Sequence, residues 1–128
     1  MKARALHDPA MQAALIGMAG LAAAMGIGRF AFTPMLPLMQ LHDLVSLRQG
    51  SYLASANYVG YLLGASLLFA FNPLPARAAK FGLAAVAAST LAMAFTSSFA
   101  SWLVLRLIAG VASAFVLVGV SGLSLIHI

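Results

Sequence analysis

Four long apolar stretches, joined by short polar ones, leave this chain few folds to choose from. A hydrocarbon core of roughly 30 Å is crossed by about 20 residues of α-helix, and the sequence offers that length repeatedly. The first stretch covers 11–40, because Pro34 and Pro37 bend a membrane helix more readily than they end it. The second covers 50–71, a shorter Ala-rich third covers 80–95, and the fourth covers 102–123. Ala and Leu dominate, and no ten-residue segment alternates as a barrel strand would. The expected fold is therefore all-α and membrane-embedded, a bundle of about four transmembrane helices.

Composition agrees. Hydrophobic residues make up 63% of the chain and charged residues 7%, where a soluble domain carries roughly 25% charged residues. At 128 residues a large share of side chains must face the surroundings whatever the fold, so the surroundings are lipid. The net charge of +5 does not point to nucleic acid, because the cations are dispersed between apolar runs and form no basic face. Cysteine is absent, which removes disulfides and thiolate metal sites.

The placement of cations predicts orientation. Lys2 and Arg4 precede the first span, Arg77 and Lys80 separate the second from the third, and Arg48 between the first two is offset by Asp43. Cationic loops stay in the cytoplasm. Residues 1–10 are thus expected inside and 97–101 as a tight external turn, in a multi-pass membrane protein. A cleaved signal peptide is the rival reading of the N-terminus, but the first apolar run exceeds the usual 7–15 residues of a signal core. Ser46-Leu-Arg-Gln49 has the form of a capping box and would start the second helix.

Several residues break the apolar pattern. Arg106 lies inside the fourth span, where an unaccommodated arginine costs at least ~2.5 kcal/mol. It shares a helical stripe with Gly110, Ser113, Leu117 and Ser121, as an interior face would; the alternative is that it snorkels to the outer headgroups. Arg29 adjoins Phe30, whose carbonyl loses its donor to Pro34, which suits either a polar pocket or a structural role at the helix end. In the second span Asn57, Gly60, Tyr61 and Gly64 fall on one side. Gly60 and Gly64 have the spacing that admits a close neighbouring helix, while Asn57 and Tyr61 offer hydrogen bonds to that contact or to a cavity.

Other signals carry nothing. Gly26-Ile-Gly28-Arg-Phe-Ala31 matches a dinucleotide fingerprint but follows a helical run where the fingerprint needs a strand. His7, His42 and His127 have no second ligand at helical spacing, so no metal site and no cofactor is expected. Nucleophile elbows, phosphate loops and catalytic carboxylate pairs are missing, so the chain does not read as an enzyme.

Two segments resemble the N-terminal third of a major facilitator superfamily transporter of the bacterial YbfB/YjiJ type. They are Gly26-Ile-Gly-Arg-Phe-Ala-Phe-Thr-Pro-Met-Leu-Pro37 and Gly50-Ser-Tyr-Leu-Ala-Ser-Ala-Asn-Tyr-Val-Gly-Tyr-Leu-Leu-Gly64. Arg106-Leu-Ile-Ala-Gly110 is similar to the superfamily's Arg-x-x-x-Gly motif, whose arginine lines the central region and takes part in proton coupling in some antiporters. The resemblance departs between helices two and three, where Asn72-Pro-Leu-Pro-Ala-Arg-Ala-Ala-Lys80 lacks the superfamily's acidic residue.

The resemblance implies a secondary transporter of a small solute working by alternating access, with its remaining helices in a C-terminal part that this stretch lacks. Residues 124–128 are then expected to be a non-native tail. Arg29, Asn57, Tyr61 and Arg106 are the candidate substrate-pathway residues, and Gly60, Gly64 and Gly110 the candidate packing residues. Arginine donors suit an anionic or carbonyl-bearing substrate. Proton coupling has no carboxylate in these spans to carry it. Two other readings stay open: a complete four-helix exporter subunit acting as a dimer, which would need an acid in the first helix, and a non-transporting membrane assembly subunit.

Overall fold

A computed structural model describes residues 8–30 and 32–126, the side chains at 27–29 and 123–126 excepted. Lys2, Arg4, His7 and His127 lie outside the described residues. Helix α1 (Pro9–Leu21) passes into a π-helical segment (Ala22–Phe30), which is followed by α2 (Phe32–Leu41), α3 (Leu47–Phe71), α4 (Pro75–Phe95) and α5 (Phe99–Ile126). Among the described residues, four segments are long and apolar enough to cross a membrane: Pro9–Gly26, Leu47–Phe71, Pro75–Phe95 and Phe99–Gly122. The fold is an all-α membrane bundle.

The first span is not one regular rod. Small side chains at 22–24 and Gly26 tolerate the wider π winding, in which hydrogen bonds reach one residue further than in an α-helix. Beyond it, Pro34 and Pro37 withdraw the donors that would have met the carbonyls of Phe30 and Thr33. Winding and prolines together let the chain change its helical phase between α1 and α2.

Each terminus has a local cause. Asp8 caps α1 by accepting from the Ala10 N–H at 3.1 Å. At the end of α2, Asp43 takes a left-handed conformation with φ 54°. The Leu44 N–H then returns to the Met39 carbonyl at 2.9 Å and the Asp43 N–H to that of Gln40 at 3.1 Å, a Schellman closure with aspartate in the usual glycine position. Ser46 and Gln49 form the reciprocal capping box at the start of α3. Asn72, at φ 42° and ψ 57°, ends α3 and bonds the Leu68 carbonyl.

Helix α4 begins at Pro75, five residues before the start expected from hydropathy. Proline at the first helical position has no N–H to leave unsatisfied and a φ already suited to the helix, so the polar-looking stretch up to Lys80 is helical. Likewise α5 starts at Phe99, and the expected 97–101 turn contracts to 96–98. The Trp102 indole N–H holds this turn, donating to the carbonyls of Thr96 at 2.9 Å and Met93 at 3.3 Å. Those are orphan acceptors at the C-terminal end of α4.

Helix α5 is the hub, packed along α3 on one side and α4 on the other. Half of its apolar window is buried inside the bundle, against 17% for Pro9–Gly26. The α3–α5 contact is a backbone contact. A Cβ built at Gly60 would fall on the Leu107 carbonyl, and one built at Gly110 on the Asn57 carbonyl. On the α4 side, Gly82 and Gly119 admit similarly close approach, and Ala79, Val86, Ala112, Val116 and Val120 form a tight apolar cluster with Ala24. The outer surface is apolar too, with Phe69, Phe81 and Phe95 at 93, 71 and 83% exposure; such a surface suits acyl chains or further helices and not water.

Gly60→Val and Gly110→Val are each expected to destabilise the bundle by roughly 2–3 kcal/mol through overpacking, read as earlier unfolding in a denaturing-detergent titration. Gly26→Ala, whose Cβ would meet nothing within 4 Å, is the control and should unfold at the wild-type midpoint. Trp102→Phe keeps the ring and removes both indole bonds, and should cost about 1 kcal/mol by the same titration.

Candidate functional site

Arg106 lies seven residues into α5, about 10 Å along the helix from its start. Its residue exposure is 4%, so it does not snorkel: the side chain turns into the bundle. The guanidinium sits over the Phe32 ring, 4.4 Å from the centroid, a distance at which the ring's negative face attracts a desolvated cation. Phe32 is the first residue of α2, so this stacking joins the first span to the fourth.

The backbone at Arg106 is fixed from the other side. Asn57, 2% exposed, donates from Nδ2 to the Arg106 carbonyl at 3.1 Å. Gly60, Gly64 and Gly110 continue the seam, and a Cβ at Gly64 would approach the Val111 carbonyl to 2.7 Å. Asn57 is therefore placed in the α3–α5 contact. Tyr61 is half-buried and packs beside the Leu68, Ala78 and Ala114 cluster. The side chain of Arg29 lies outside the described residues.

Beside Arg106 opens a cavity of about 450 Å³ between α2, α4 and α5. Three methionines, Met35, Met39 and Met93, line it with Phe32 and Trp102, while Thr90 and Thr96 supply hydroxyls. Methionine walls adapt to irregular apolar shapes, and the arginine offers five donors in a fixed fork. Such a chamber can hold a small molecule with an apolar body and a carboxylate or carbonyl end. Neither carboxylate of the chain is in a span: Asp8 caps α1 and Asp43 closes α2.

Sequence reading placed Arg106 on an interior stripe, and the stripe is buried through Gly110 and Ser113, half-buried at Leu117 and exposed at Ser121. It missed Phe32, Trp102 and the two threonines. A signal for Trp102 was present, since it is the only tryptophan and stands near a helix start, where an indole N–H needs an acceptor. Phe32 carried none, because its role depends on contact across 74 positions.

Comparison with known proteins adds the family. No curated protein and no solved structure matches the chain. A family profile described as an uncharacterised MFS-type transporter, YbfB, matches residues 21–128, from the end of α1 through all of α5. With four membrane-crossing helices arranged around a buried arginine, the chain belongs to the YbfB family of MFS-type transporters.

Proposed function

We propose that these helices form part of the first half of a secondary transporter, which carries a small anionic or carbonyl-bearing solute by alternating access. The observation that carries this reading is Arg106, buried at 4% exposure on the wall of a 450 Å³ cavity. Burying a cation among apolar helices is expensive, and packing alone would be served by a neutral side chain. The cost is offset where the guanidinium meets Phe32 and an entering acceptor.

Alternating access needs rigid units that rock about a central site. The α3–α5 seam suits such a unit, because two glycines and the Asn57 bond set its helix rotation. Asn57 acts here as the residue that holds the Arg106 backbone, and Tyr61 and Arg29 remain candidates for other parts of the pathway. Coupling to protons would use groups in further helices of the transporter, since these spans hold no carboxylate. The cation distribution favours an N-terminus in the cytoplasm of a bacterial cell, with the 96–98 turn outside.

Uptake by the full-length transporter tests Arg106. Arg106→Ala should lower uptake of the transported solute roughly tenfold to a hundredfold, the range for losing a charged hydrogen bond, and Arg106→Lys should restore only part of it because a lysine lacks the fork. Wild-type uptake in both variants would remove Arg106 from the mechanism.

These 128 residues hold no cysteine, so cysteines introduced into them, with any in the further helices replaced, test orientation. A single cysteine at Ser97 should react with an impermeant maleimide in intact cells, and one at Ala76 only after lysis. The reverse pattern would invert the topology.

A further inference from the structure

We infer that the groove between α1 and α4 is a binding site for one anionic phospholipid, its phosphate on Lys80 and Arg77 and an acyl chain along the groove. The groove holds about 260 Å³ and is walled by Ala13, Ile16, Gly17 and Gly20 of the first span, by Ala76, Ala79 and Leu83 of α4, and by Val120 of α5. Among the described residues, Lys80 is the single charged one in that wall.

The geometry follows from small residues. A Cβ at Gly20 would stand 3.6 Å from Leu83 Cδ1, and one at Gly17 2.9 Å from Val120 Cγ1. Gly20 thus faces α4 and Gly17 faces α5, and with Ala13, Ala76 and Ala79 they leave a trough where two helices of ordinary side chains would interdigitate. Gly122 of α5 meets Pro75 at the first residue of α4. The end of α5, the start of α4 and the start of α1 therefore share one membrane face, and the groove opens near that face.

Charge selects the occupant. Lys80 is exposed at the mouth, and Arg77, also exposed, precedes it by three residues and so lies on the same side of α4. Of the chain's two carboxylates, Asp43 belongs to the α2–α3 connection, at the other ends of those helices. Asp8 is engaged with the Ala10 N–H. An apolar trough within a membrane span, ending at two cations at the interface, complements a lipid with a net negative phosphate and an acyl tail. A zwitterionic lipid meets the same trough without the net charge.

Native mass spectrometry of the full-length protein in neutral detergent, titrated with phosphatidylglycerol and with phosphatidylcholine of matched chains, tests this. The wild type should prefer phosphatidylglycerol. Arg77→Gln with Lys80→Gln should erase that preference, weakening phosphatidylglycerol about fivefold for each cation removed, and Lys80→Arg should retain it. Ala13→Phe, or Ala76→Leu at an exposed position should the first fail to fold, fills the trough and should weaken both lipids. A wild-type preference in the double glutamine variant overturns the headgroup contact. Wild-type affinities after the trough is filled overturn the acyl-chain contact and assign the groove to another helix of the transporter.

Discussion

The close backbone contact between α3 and α5 sets the position of nearly everything else. Within lipid, apolar side chains gain little by leaving acyl chains for one another, so helix association depends on fit and on interhelical hydrogen bonds. Here both operate at one place. Gly60 and Gly110 bring the backbones of Asn57 and Leu107 against the opposite helix, and Asn57 spends its amide on the Arg106 carbonyl. The pairing fixes the rotation of α5 about its own axis. Once that rotation is set, Arg106 can only point toward α2, Gly119 can only face α4, and Ser121 is left outward.

This arrangement also accounts for the tolerance of a buried charge. A guanidinium in a hydrocarbon layer is expected to reach for the headgroups, and Arg106 is near enough to the end of its helix to do so. It does not, because α5 is rotated inward and the ring of Phe32 is waiting at 4.4 Å. The Asn57 bond is made to the Arg106 backbone and not to its side chain.

Much of this was legible in the residues. The apolar lengths gave four spans, the Gly60/Gly64 spacing gave a close helix contact, and Ser46 with Gln49 gave the start of α3. These are local features, readable within one or two turns. What escaped was either long-range or conformational. Asn57 read equally as a cavity residue or a packing residue, and its bond to the carbonyl of Arg106, 49 positions away, had no local signal. Asp43 read as a compensating charge in a loop, whereas its left-handed backbone closes α2. The start of α4 was missed because Pro75 and Arg77 resemble a loop by hydropathy, although proline at the first helical position is favourable.

The two walls of the Arg106 cavity differ in how they are held. One wall, with Trp102, Arg106 and Ala109, belongs to the glycine seam and to the indole closure at the end of α4. The other, with Phe32, Met35 and Met39, hangs from the first span, which passes through π winding and two prolines and whose Pro9–Gly26 part buries a far smaller share of itself in the bundle than α5 does. π-Helical segments often occur at functional sites because their hydrogen bonds can revert to α-type with a shift of one residue. Such a shift upstream of Phe32 would turn its ring relative to Arg106, whose backbone the seam holds still. On the alternating-access reading, the fixed side of the site carries the charge that reads the solute, and the adjustable side carries the ring that covers it.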